Sequence, residues 1–301
     1  MLRVTQSMMN TQLIRNVNKN LYKMDNYQNQ VSTGRKINKP SDDPVGITYS
    51  LRYRSELAAN EQYQKNVDSA LSWLDFSDTV LGQAGDVMHR LKDLSIQAGT
   101  GTNPQVALDG IKEEIEQLKD QLIDIANSQI NGKYVFNGQT YDQTPYNVQD
   151  PSFDAKLAVT DSGDVDFTIG LGVQVSVNMS GNEVFGNPGD ADNIFKVLDD
   201  LITDLGSGNY AGIGSQIQHL DMRMEKILTY RSEVGARVNR VELMQNRLSE
   251  LELNLMELKS KNEDAEYEEL LINAKIAESV YQASLSVGAK IITPTLVDFL
   301  R

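Results

Sequence analysis

Two histidines, His89 and His219, are the only imidazoles in 301 residues. Both fall inside helical patterns far apart in the sequence, so spacing pairs neither with a second group for proton transfer or metal binding. A glycine-rich stretch runs from Gly206-Ser207-Gly208 through Gly212 and Gly214. A phosphate cradle needs a strand before it, a helix after it and a lysine; this stretch follows a helical pattern, lacks the lysine, and reads as an interhelical loop. Asp161, Asp164 and Asp166 crowd the segment DSGDVD, but a calcium loop of the EF-hand type needs a glutamate at its twelfth position, and a solvated turn fits better. Cysteine is absent, which removes disulfides, thiol nucleophiles and cysteine-ligated metals together. The residues that could do chemistry do not converge. No catalytic, cofactor-binding or metal-binding set is expected, and an enzyme is not the reading.

The elements around these residues carry more information. Net charge is −14, unevenly spread. Residues 1–60 hold nine Lys/Arg and four Asp/Glu, whereas 135–205 hold two lysines and twelve acids. So acidic a middle argues against nucleic acid, which demands basic surface, and fits a solvent-facing region kept soluble by like charge. No apolar run approaches the ~18 residues of a membrane span. The first 30 residues contain no continuous apolar core of signal-peptide type, so neither a membrane anchor nor a cleaved secretory signal is expected.

Helical periodicity dominates. Leu13, Val17, Asn20, Met24, Tyr27 and Val31 follow at alternating steps of four and three, one stripe facing a partner. Ser32-Thr33-Gly34-Arg35 supplies a stop, with Gly34 suited to a left-handed cap. In Asn38-Lys39-Pro40-Ser41-Asp42-Asp43-Pro44, Asp42 or Asp43 can cap the next helix and Pro44 suits its first position. That helix runs to about Gln97, with Val67, Leu71, Leu74, Leu81, Ala84 and Met88 on its apolar stripe. Asn103-Pro104 repeats the cap logic for a further helix carried by Ile111, Ile115, Leu118, Leu122 and Ile125. Between 131 and 188 the texture changes to Asn-Gly turns and alternating segments such as Val165–Ile169 and Val173–Val177, a small β-rich unit.

The last third repeats most regularly. Val241, Met244, Leu248, Leu251, Leu255 and Leu258 alternate steps of three and four without a miss; the register falters at Glu269 and resumes at Ile272, Ile276, Val280, Ala283 and Val287. One straight helix from 213 to 290 would measure roughly 115 Å and must pair with another long helix, for which 44–130 is the internal candidate. The expected fold is mainly α with a small β-rich insert, a long antiparallel helical bundle or coiled coil formed by the N- and C-terminal segments. Its expected parts are terminal assembly segments (1–43 with 268–301), a long-helix core (44–130 with 190–267) and a β-rich outer domain (131–189). The basic N-terminal helix and the acids of 250–278 favour pairing of the two ends. Their imperfect stripes are weak as isolated helices, so Leu13, Val17, Met24, Tyr27, Val31 and, at the other end, Ile272, Ile276, Val280, Ala283 and Val287 are expected to form an assembly interface with other chains. A cytosolic coiled-coil adaptor is the alternative of another class.

The run Val31-Ser32-Thr33-Gly34-Arg35-Lys36-Ile37-Asn38-Lys39-Pro40-Ser41-Asp42-Asp43-Pro44-Val45-Gly46 resembles the bacterial flagellin family: an amphipathic helix, S-T-G-x-x-I-N, then D-D before the next helix. Tyr281-Gln282-Ala283-Ser284-Leu285 and the closing Leu296-Val297-Asp298-Phe299-Leu300-Arg301 resemble its C-terminus. The start Met1–Met9, Lys39–Pro44 and Tyr134–Gly138 are more similar to the branch that joins hook to filament than to flagellin itself, the bulk filament subunit. The resemblance implies a flagellin-like structural subunit, exported unfolded through the flagellar type III apparatus and shielded before export by a chaperone. It further implies a ring of copies outside the cell, between the first hook-associated protein and the flagellin filament, with no cofactor, nucleic acid or membrane partner.

Overall fold

The structure, a computed structural model, describes residues 6–101, 103–148 and 153–291. The first residues of the Met1–Met9 resemblance and the closing Leu296–Arg301 motif therefore lie outside the described residues. Helices α1 (Gln6–Thr33), α2 (Pro44–Gly99) and α3 (Gln105–Ala126) come first. Hairpins β1–β2 (Gln129–Ile130, Lys133–Tyr134) and β3–β4 (Asp166–Gly170, Val173–Ser176) follow, with a 3-10 turn at Ala155–Leu157 between them. Then come α4 (Gly181–Phe185), α5 (Ile194–Ser207), α6 (Tyr210–Glu263) and α7 (Tyr267–Ile291). Among the described residues the fold is mainly α with two small antiparallel sheets, as the periodicities predict. The chain divides into two compact units, Asn60–Glu250 and Met1–Ala59 with Leu251–Arg301.

In the first unit, α2 from Asn60 and α6 up to Glu250 run antiparallel. Asn60 Nδ2 donates to Leu248 O at 3.0 Å, the Arg231 fork grips the Asp78 carboxylate at 3.0 and 3.2 Å, and Lys92 pairs with Asp221 at 2.7 Å. The seam on α6 is stricter than a three–four stripe. Ile213, Leu220, Ile227, Val234, Val241 and Leu248 are all buried and recur every seven residues, the spacing that keeps one row on a partner as two helices wind together. The facing row on α2 includes Val67, Leu74, Leu81, Met88 and Leu91, buried as their pattern requires. Helices α3 and α5 pack on each other, joined at their surface by Lys119 and Asp199 at 2.5 Å.

The hairpins obey turn chemistry. Asn131 and Gly132 both take positive φ, 52° and 76°, the twist a two-residue turn needs to join β1 to β2. Past Ser176 the β3–β4 ladder keeps one backbone bond, Val177 N to Val165 O at 3.1 Å, and the Asn178 side chain takes the groups beside it: it accepts from Val165 N at 2.7 Å and donates to Gly163 O at 2.8 Å. Strand in 131–189 is thus confined to short pairs. A cluster of Phe136, Tyr146, Phe185 and Phe195, centroids 5.1–6.1 Å apart, forms the core there. Arg223 of α6 is buried against it, donating Nε to Asp192 O at 2.9 Å and Nη1 to Glu183 O at 3.0 Å, with its charge met by the Asp192 carboxylate at 2.8 Å.

Two local expectations change. Asn103 does not cap α3; its side chain donates back to Gln97 O at 2.6 Å, and Pro104 occupies the cap position. The glycine-rich loop shrinks to Gly208-Asn209, with Gly208 left-handed at φ 66°, while Gly212 and Gly214 lie inside α6. Among the described residues no group of three or more His, Asp or Glu could hold a metal, and Asp161 instead accepts from the backbone N–H of Gln139, Thr140 and Gly163 at 2.9–3.2 Å.

Truncating Leu220→Ala should destabilise the chain by about 2–5 kcal/mol in urea unfolding, whereas Leu243→Ala, 70% exposed on the same helix, should stay within about 0.5 kcal/mol. Equal effects would contradict the seven-residue seam.

Candidate assembly site

The second unit holds the chain ends, and its geometry starts from one buried carboxylate. Glu263, the last residue of α6, has a side chain only 1% exposed. A carboxylate taken from water must be paired, and Arg54 of α2 does so in a fork, Nε to Oε1 at 2.8 Å and Nη2 to Oε2 at 2.7 Å. Arg35 adds charge at 3.7 Å. Beside it Asn262 Nδ2 donates to Gly46 O and Ser50 Oγ, both at 2.8 Å. Burial pushes the Glu263 carboxyl up, but the hydrogen bonds and charge of Arg54, with Ser50 and Arg35, outweigh it and hold the group below the usual carboxylate range.

The loop between α1 and α2 is shaped to reach this point. Gly34 at φ 70° ends α1, its N–H bonded to Gln30 O at 2.8 Å. Asp42 closes the loop by accepting from Asn38 N and Lys39 N at 3.1 and 2.8 Å, and Asp43 caps α2 through Val45 N at 3.0 Å with Pro44 first in the helix. Gly46 leaves room for this packing: a Cβ there would collide with Asp43 Oδ2 and come within 2.5 Å of Ile37 Cδ1. Two strand-like hydrogen bonds, Lys36 N to Glu263 O at 2.8 Å and Ala265 N to Gly34 O at 3.0 Å, then bind the loop to the break between α6 and α7. The single helix pictured over 213–290 is broken here, at 264–266, not at Glu269.

Beyond the joint α1 and α7 pack antiparallel. Leu13, Val17, Met24, Tyr27 and Val31 are half-buried on the face toward α7. The answering face is not the aliphatic stripe of α7. It consists of Leu270, Ala274, Ala277, Tyr281, Ser284 and Gly288, again at steps of four and three, and a Cβ on Gly288 would come 3.2 Å from Leu13 Cδ2. Ile272, Ile276, Val280 and Val287 stand 46–61% exposed, and Ala283 is exposed with them. Five of the ten interface candidates thus lie within the chain's own hairpin, and the five on α7 form a row of aliphatics facing water. The small-residue stripe on α7, overlooked by hydrophobic periodicity, was visible as alternating steps of Ala, Ser and Gly.

The comparisons can be set against this geometry. A family model described as the bacterial flagellin N-terminal helical region matches residues 4–140. Flagellar hook-associated protein 3 of Escherichia coli is 24% identical over 302 residues, covering 94% of this chain and 95% of its own length. The chain is thus similar to the flagellin family over its N-terminal region and to hook-associated protein 3 over nearly its whole length. It is a flagellar structural protein. Flagellin of Bacillus subtilis is 27% identical over 254 residues, 79% of each chain. The crystal structure of flagellar hook associated protein-3 from Legionella pneumophila, 16% identical, superposes with a TM-score of 0.62 over 70% of this chain and 98% of that one, which shows the shared fold. The family motif around Gly34, Asp42, Asp43 and Gly46 coincides with the loop that docks on Glu263.

Because the folded Glu263 carboxyl titrates below its ordinary value of 4.5, its stabilising contribution is complete above that value and is lost as pH falls through the depressed one. Hydrogen-exchange protection of the Lys36 and Ala265 amides should therefore be flat above pH 4.5 and drop on acidification. Glu263→Gln should remove that acid limb while lowering protection at neutral pH; an unchanged profile in the variant would show that the limb belongs to another group.

Proposed function

We propose that this chain is the subunit that joins hook to filament, assembled through its terminal segments, 1–43 and 268–301, after export as an unfolded chain. The observation that carries the reading is the aliphatic row on α7, exposed on a hairpin whose own seam is already filled, in a chain similar from end to end to hook-associated protein 3. A row of this kind calls for burial by another molecule. Copies of this chain in a ring, the first hook-associated protein below and flagellin above supply that burial outside the cell, and a flagellar chaperone covers the same row before export. The acidic segment 131–189 faces solvent, and the chain does no catalysis.

A flagellin role is the second reading, favoured by the match that spans 79% of the Bacillus subtilis flagellin. Salt- or seed-induced polymerisation of the purified chain separates the two, because a junction subunit forms no long filaments alone. Deleting the gene in cells that still build hooks should release flagellin into the medium. Within the junction reading, Ile276→Asp should abolish retention of the chain in sheared flagella while leaving the circular dichroism of the Asn60–Glu250 helices unchanged. Leu13→Asp should do the same by opening the hairpin. Normal retention of both variants would sink the terminal-segment mechanism.

A further inference from the structure

The α1–α7 hairpin has two flanks, and they differ in kind. With 100° of turn per residue, Lys19 and Lys23 stand to one side of the Leu13–Val31 seam on α1, and Arg15 continues their row onto the helix's far face. On the same side of α7 lie Ile276 and Val280; a groove of about 170 Å³ lined by Asn20, Lys23, Tyr27, Asn273, Ile276 and Val280 joins the two helices there. This flank is cationic along α1 and aliphatic along α7 from Ile272 onward, with one exposed carboxylate, Glu269, at its start near the joint. On the opposite side the same periodicity aligns Ile14, Leu21 and Asp25 on α1 with Leu271 and Glu278 on α7. Ile14, Leu21 and Leu271 are 59, 41 and 44% exposed. The second flank is therefore aliphatic with carboxylates.

None of Arg15, Lys19 and Lys23 meets a carboxylate among the described residues, and all three are exposed. On the other flank Asp25 accepts only a long hydrogen bond from Asn29 Nδ2, 3.3 Å, and Glu278 pairs along its own helix with Lys275 at 2.8 Å. An exposed pair one turn apart is worth only a few tenths of a kcal/mol, so Glu278 is available to a stronger partner.

The geometry points to these two flanks as the halves of one interface between copies of this chain: the Lys19–Lys23 and Ile276–Val280 flank of one copy covers the Ile14–Leu21–Leu271 flank of the next, with Lys19 and Lys23 meeting Asp25 and Glu278. The inference rests on the proposed assembly through the terminal segments and adds its polarity and its residues. Either flank against itself would set cation on cation or carboxylate on carboxylate, so a two-fold pairing is disfavoured. A contact between unlike patches repeats head to tail and closes a ring when the rotation allows.

Charge reversal tests this directly. The double variant Lys19→Glu, Lys23→Glu and the double variant Asp25→Lys, Glu278→Lys are each expressed, as full chains, in cells lacking the wild-type copy, and then both together. Each alone should be retained in sheared flagella about tenfold less than wild type, since two attractive contacts become repulsive. Together they should recover near wild-type retention in equal amounts, because the reversed flanks complement each other. Wild-type retention of either double variant alone would overturn the inference. So would loss of both without recovery on co-expression, if each still shows wild-type helicity when purified. Ile276→Asp keeps the two levels apart: its loss together with full retention of the charge variants leaves the terminal-segment reading standing and removes only this pairing.

Discussion

A carboxylate buried at the end of a helix dictates much of the terminal unit. Glu263 cannot stay charged out of water without a partner, and the fork of Arg54 brings α2 to that spot. Its backbone carbonyl then receives Lys36, so the loop after α1 arrives as well. Three stretches remote in sequence are thus fixed by one residue. The surrounding motif follows as a set of local consequences. Gly34 turns the chain out of α1, Asp42 closes the loop, Asp43 starts α2, and Gly46 has no side chain because Asp43 and Ile37 occupy that space. A sequence signature that looks arbitrary as letters is the shape of a loop required to reach Glu263.

With the joint set, α7 must choose which face to give α1, and it gives the small one. Between the bulky Leu270 and Tyr281 and beyond them, that face carries Ala274, Ala277, Ser284 and Gly288, and Gly288 lies close against Leu13. The larger aliphatics remain outside. A monomeric surface helix ordinarily does the reverse, burying its branched side chains and exposing its small or polar ones. The inversion is local to α7. Further back, α6 buries Leu and Val at every seventh position and behaves as an ordinary two-helix seam.

What the sequence disclosed follows from how local each signal is. The stop at Gly34, the cap at Asp43, the turn at Asn131-Gly132 and the stripes of α2 and α3 are short-range chemistry, and they were legible as such. Pairing of the basic and acidic ends was legible from charge. Hydrophobic periodicity did not find the face that α7 gives to α1, because it picks out the most apolar face, and on α7 that one faces solvent. Arg223 left no signal, since a guanidinium satisfied by Glu183 and Asp192 carbonyls depends on a chain fold thirty to forty residues away. The break at 264–266 was invisible for the same reason: Asp264-Ala265-Glu266 contains no helix breaker, and only the hydrogen bonds to Gly34 and Lys36 hold it open.

Energetics connect the inverted helix to the proposed role. Fully burying a Val or Ile side chain contributes about 1.5–3 kcal/mol, so covering the half-exposed Ile272, Ile276, Val280 and Val287 contributes about 3–6 kcal/mol. Bringing two free proteins together costs about 4–15 kcal/mol in lost motion alone. The two ranges overlap only at their edge, so one such contact is at best a weak hold between two monomers. A subunit placed on an existing end is covered on both flanks of its hairpin, and the loss of motion is incurred once for two contacts. In the proposed assembly this surface holds a subunit more firmly at a growing tip, where both flanks are covered, than between two free copies, where one is.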